Sequence, residues 1–110
     1  DRRFGYVTST QDLVIGAFFS FGFPNCALPA LFQYPPTLFE AGVYDLALRL
    51  GPFDNAHAFV LASTNHVWLQ EVPIGAERRG GNLSTTSHGV TLADWVRSFI
   101  DDTGWRTVLP

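Results

Sequence analysis

Residues 13–23 read Leu13-Val14-Ile15-Gly16-Ala17-Phe18-Phe19-Ser20-Phe21-Gly22-Phe23, and the period assigned to this run decides the fold class. Taken two by two, Leu13, Ile15, Ala17, Phe19, Phe21 and Phe23 share one face. Val14, Gly16, Phe18, Ser20 and Gly22 share the other, which carries three very small side chains. A strand packed on both faces fits this alternation. The run also begins a charge-free interval between Asp12 and Glu40. The window of residues 13–32 has the length of a bilayer-spanning helix. Pro24, Asn25 and Pro29 interrupt it, so no membrane span is expected.

Outward from this run, the N-terminal side offers a short strand over residues 4–8, with Gln11-Asp12 as the turn that follows. On the C-terminal side, Pro24 and Pro29 bound a connection, since proline cannot serve an interior ladder. Residues 30–34 read as a further strand ended by Pro35-Pro36. Residues 43–50 alternate most regularly. Tyr44, Leu46, Leu48 and Leu50 oppose Val43, Asp45, Ala47 and Arg49, which predicts a strand with one wet face. Residues 51–55, Gly-Pro-Phe-Asp-Asn, form a turn cluster. Residues 56–63 and 67–72 read as strands, with Thr64-Asn65 between them as a hairpin tip or a bend. Residues 75–89 form a long polar loop.

One helix is predicted, over about residues 91–103. Thr91 is its N-cap, Asp94 completes a capping-box-like pair, and Val90 and Trp95 stand at staple positions. Leu92, Trp95, Val96, Phe99 and Ile100 follow the helical period as one apolar stripe. Gly104 suits a left-handed stop, with Trp105 closing on Ile100. Arg106 opens a last short strand, residues 106–109. The expectation is an α+β domain that is mostly β: an antiparallel sheet or sandwich-like β domain with one C-terminal amphipathic helix. The segment Leu38-Phe39-Glu40-Ala41-Gly42-Val43-Tyr44 resembles the approach to a strand in β-sandwich domains, where a tyrosine hydroxyl bonds back to the backbone. The resemblance implies a sandwich and nothing about activity.

The 110 residues make a single domain. Charged residues are 15 % of the chain, against about 25 % in an average domain. Aromatic residues are another 15 %, ten of them Phe. Such a chain is not disordered, and it has little charge with which to cover its surface, which points to a partner. A net charge of −3 excludes a general nucleic-acid binder. The single cysteine, Cys26, excludes an internal disulfide framework and fits a reducing, cytoplasmic setting. The first residue, Asp1, is not Met, so a leader removed by processing is compatible with the sequence. Asn82-Leu83-Ser84 fits a glycosylation sequon, the sole support for a viral or cell-surface ectodomain.

Chemistry is sparsely encoded. His57, His66 and His88 are not spaced to converge on a metal. Cys26, between two prolines with no basic neighbour, lacks the setting of a nucleophile. Ser84 to His88 read as a polar lead into the helix, since nucleophile and base come from separate parts of a fold. Asp101-Asp102 mark an exposed helix end. Glu77-Arg78-Arg79 with the following glycines can wrap an anion, and the helix N-terminus after His88 is a second anion candidate. Trp68 is either core or an outward anchor for a partner. The reading that follows is a non-enzymatic interaction or assembly module, a homo-oligomer or a subunit of a larger complex, with no cofactor and no metal. Its alternative is a small-molecule-binding domain or small hydrolase or isomerase with a Phe-lined pocket under a lid of residues 75–89. Candidate contacts to a partner or ligand are Trp68, Arg78, Arg79, His88, Tyr44 and His57.

Overall fold

A computed structural model describes residues 2–20, 35–66, 68, 73–74, 77–78 and 83–110. Its centre is a parallel pair of strands, β1 (Phe4–Ser9) and β2 (Ala56–Leu61). Phe4 stands opposite Ala56 and Ser9 opposite Leu61. A parallel pair needs a long crossover. The chain supplies it with two helices, α1 (Leu13–Ser20) and α2 (Pro36–Leu50). Val108 adds a parallel bridge on the far side of β2. Val60 N–H donates to its carbonyl at 2.9 Å, and its N–H donates to the Ala58 carbonyl at 2.8 Å. Two further pairs are antiparallel: β3 (Pro73–Ile74) with β4 (Glu77–Arg78), and β5 (Thr86–Ser87) with β6 (Val90–Thr91). Helix α3 (Leu92–Asp101) follows β6 directly.

The sheet is covered on both faces, as parallel strands require. On one face Ala58 and Val60 of β2 pack with Phe39, Val43 and Ala47 of α2, and Tyr6 of β1 joins them. On the other, Phe59 and Leu61 pack with Leu92 and Trp95 of α3, together with Trp68, Trp105 and Val108. Gly5 lets α3 approach. A Cβ there would stand 3.0 Å from the Trp95 ring and 3.4 Å from Phe99. The Trp95 indole N–H donates to the Arg106 carbonyl at 2.7 Å, so this large buried ring leaves no orphan donor.

The α+β class holds, and so do β1, β2, the turn over residues 51–55 and the capped helix. The two decisive runs do not. Leu13–Ser20 is a helix rather than a two-faced strand, because the Asp12 carboxylate caps it. Asp12 Oδ1 accepts from the Val14 and Ile15 N–H groups at 3.0 and 2.8 Å. Residues 43–50 belong to α2. Pro36 sits in its first turn, where a missing N–H costs nothing. The buried residues Phe39, Val43 and Ala47 recur every four positions. Asp45 and Arg49 are exposed as expected, but they pair one helical turn apart at 2.6 Å. The resemblance of residues 38–44 to a sandwich strand therefore fails, since these residues are helical, and the principal pairing is parallel rather than antiparallel. None of the described helices is long and apolar enough to cross a membrane.

The helix α3 prediction needs two smaller corrections. The helix ends at Asp101, and Asp102 takes the left-handed position at φ 57°, with Gly104 at φ 63° beyond it. Trp105 closes on Phe99, ring centroids 5.0 Å apart, while Ile100 stays exposed. The Arg3 guanidinium serves the helix end instead. It donates to the Phe99 carbonyl at 2.6 Å, lies 3.3 Å from Asp102 and sits over the Phe99 ring. A cation at the negative end of the helix offsets the acids there. Within residues 75–89, expected as a loop, Glu77 and Arg78 form β4 and Thr86 and Ser87 form β5. Residues 21–23 of the first run, the strand expected over residues 30–34, the strand expected over 67–72 apart from Trp68, and the glycosylation site Asn82 lie outside the described residues, as does Cys26.

Candidate functional site

Parallel strands end together, and the loops that leave them meet at the same edge. Here the loops are tied across that edge. Thr10 N–H donates to Leu61 O at 2.8 Å, Gln11 N–H to Ser63 O at 3.0 Å and Leu13 N–H to Thr64 O at 3.3 Å. Asp12 therefore lands beside His66. Its second carboxylate oxygen, Oδ2, accepts from His66 Nδ1 at 2.9 Å. The Asp12 side chain is 4 % exposed and that of His66 39 %. A buried carboxylate thus fixes the orientation of a half-exposed imidazole, as in acid–base pairs. No serine completes a triad among the described residues. Ser9 Oγ donates to the Asn65 carbonyl and accepts from the Trp68 indole N–H at 3.1 Å, so its hydrogen bonds hold the loop.

Next to this pair, at the ends of the strands, lies an open cleft of about 400 Å³. Ser63, Asn65 and Trp68 line one side, and Thr85, Thr86 and His88 line the other. The β5–β6 hairpin forms that second wall. Ser87 Oγ docks it by donating to the Val60 carbonyl at 2.7 Å. His88 and Gly89 form the two-residue turn, with φ of 46° and 76°. Positive φ at both positions is the type I′ signature. It suits Asn or Gly better than His.

The six residues singled out from sequence fall in separate places. Trp68 is buried in the core against α3, which favours packing over an outward anchor. Tyr44 is half-buried on α2. His57 is half-buried on β2, edge-on to Trp105 at 4.5 Å. His88 is exposed in the cleft. Arg78 lies in β4 opposite Pro73; its side chain and Arg79 are outside the described residues. Trp68 and His88 both line the cleft. The helix N-terminus is not an open anion site either. Leu92 and Ala93 N–H groups donate to the Thr85 and Leu83 carbonyls, and Asp94 N–H donates to the Thr91 hydroxyl. Sequence reasoning missed Asp12 and His66. The one available signal was an Asp immediately before an apolar run, a helix-start pattern. Their proximity, 54 residues apart in the chain, had no local signal. Among the described residues no three His, Cys, Asp or Glu side chains gather as a metal site would require. Compared with protein-family models, with curated proteins and with solved structures, the chain matches none.

Proposed function

We propose that the chain is a non-enzymatic interaction module that assembles with a second copy of itself through the face formed by α1 and α2. The observation that carries this reading is an apolar groove of about 280 Å³ between the two helices and β1, lined by Tyr6, Ile15, Gly42 and Leu46 among others. Leu38 and Leu46, which line it on α2, are large apolar side chains left exposed, and Leu13 and Val14 are exposed on α1. A self-complementary interface places the same patch on both partners. The charges bordering this one suit that arrangement. Asp45 and Arg49 neutralise each other, and the hydrogen bond and then the charge of Asp45 hold Arg49 more firmly protonated than usual. Two copies therefore meet without like-charge repulsion. The low charge of the whole chain points the same way.

Light scattering coupled to gel filtration tests the proposal. The expected result is a dimer at micromolar concentration that Leu38→Glu and Leu46→Glu each weaken at least about tenfold, by placing a charge in an apolar contact. Both side chains are exposed within the single chain, so the fold tolerates the changes. A monomer at every concentration overturns the reading. The alternative of a small-molecule-binding domain draws its support from the polar cleft beside His88 rather than from a Phe-lined pocket.

A further inference from the structure

The cleft at the carboxyl ends of β1 and β2 has a definite chemistry. Its described lining includes the hydroxyl residues Ser63, Thr85, Thr86 and Ser87, the last already donating to the Val60 carbonyl, with the carboxamide of Asn65 and the imidazole of His88 and neither a carboxylate side chain nor a guanidinium among them. Among the described residues the Asn65 side-chain amide and the His88 ring have no hydrogen-bond partner within the protein. Neither α3 nor α1 adds a positive end: the first N–H groups of α3 are occupied by Thr85, Leu83 and Thr91, and those of α1 by Thr64 and Asp12. Arg106 does not line the cleft; it lines an adjoining depression that shares His88 and Pro110 with it. The apolar part of the wall comes from Leu61, Ala62, Trp68 and Pro110. The volume of about 400 Å³ is within the roughly 300–1,000 Å³ of small-molecule sites.

His88 supplies the second observation. It holds a left-handed backbone at φ 46° in a turn position that glycine or asparagine fills without strain. Residues held in this region occur in tight turns and cluster at ligand clamps. At this position the side chain faces the cleft.

We infer that the cleft binds a neutral polyhydroxylated ligand, a mono- or disaccharide, with its hydroxyls held by Asn65, Thr86 and His88 and a C–H face against the apolar wall. The site is separate from the α1–α2 face and stands whether or not the chain dimerises.

The test is titration of the ¹⁵N-labelled chain with glucose, galactose, N-acetylglucosamine and maltose, with glucuronate and glucose 6-phosphate as charged counterparts. The expected result is saturable shifts of the Ser63, Asn65, Thr86 and His88 amides with at least one neutral sugar and weaker binding of the charged ones. His88→Gly is expected to raise the melting temperature while raising the dissociation constant about tenfold, the effect of losing one well-formed hydrogen bond. Asn65→Ala weakens binding in the same way and controls for any change in the hairpin. No saturation with any neutral sugar, tighter binding of the charged sugars, or shifts that map away from these residues overturns the inference. So does unchanged affinity in both variants.

Discussion

Asp12 shows how much one side chain can organise. Its two carboxylate oxygens serve different partners, one the first turn of α1 and the other His66 in the loop after β2. Truncating it removes a cap and leaves an imidazole unpaired beside buried surface. Asp12→Ala is expected to destabilise by about 1–3 kcal/mol, read from urea denaturation. Asp12→Asn keeps an acceptor for the helix and should recover about half of the loss. An unchanged midpoint for Asp12→Ala would mean that neither bond matters. The residue is legible in the sequence only as half of this device. A polar residue before an apolar run announces a cap, but nothing near Asp12 announces His66.

Among the elements, α2 and β1 show why period alone misleads. In α2 the leucines at 46, 48 and 50 repeat every second residue, while Phe39, Val43 and Ala47 repeat every fourth. Both patterns are present, and burial selects the second because α2 lies along β2 and presents one stripe to it. The leucine at 48 is consequently exposed. β1 was readable as a strand, yet its main constraint is invisible locally. Gly5 is the point where α3 presses on the sheet, with no room for a branched side chain. Gly5→Val is expected to cost about 1–3 kcal/mol through forced movement of Trp95. The accompanying signature is a change in tryptophan fluorescence, since Trp95 packs on Phe59, Phe99 and Trp105. A variant as stable as the parent, with an unaltered spectrum, would remove Gly5 from this role.

At the scale of the molecule, the question is what covers the apolar surface of a chain with so little charge. On one face α2, with Ile15 of α1, covers the sheet and on the other α3 does, which accounts for β2, Trp95 and Trp105. The outer side of the α1–α2 pair is left with exposed leucines and a groove. A dimer through this face makes folding and association one equilibrium. The melting temperature should then rise with protein concentration in the parent chain and lose that dependence in Leu46→Glu. Calorimetry over a hundredfold range of concentration reads this directly, and a flat line for the parent speaks against the interface. The polar cleft lies at the strand ends, between the loop after β2 and the β5–β6 hairpin, so the two surfaces can be examined independently.

What the sequence determined by itself was whatever depends on neighbours in the chain. Helix α3 carries its own cap, stripe and stop within about a dozen residues. The turn over residues 51–55 is built from residues that favour turns, and β2 is an apolar run of strand length. These features follow from local sterics and hydrogen bonding, which a short window contains. The tertiary structure decided everything that depends on distant partners. It set the parallel register of β1 on β2 across a crossover of two helices. It made residues 13–20 and 43–50 helical although their alternation suits strands equally well. It brought Asp12 to His66 and placed the His88 hairpin against the ends of the strands. The physical reason is common to all of these. An apolar run stabilises whichever period buries it, and which period does so depends on surfaces that only the folded chain brings into contact.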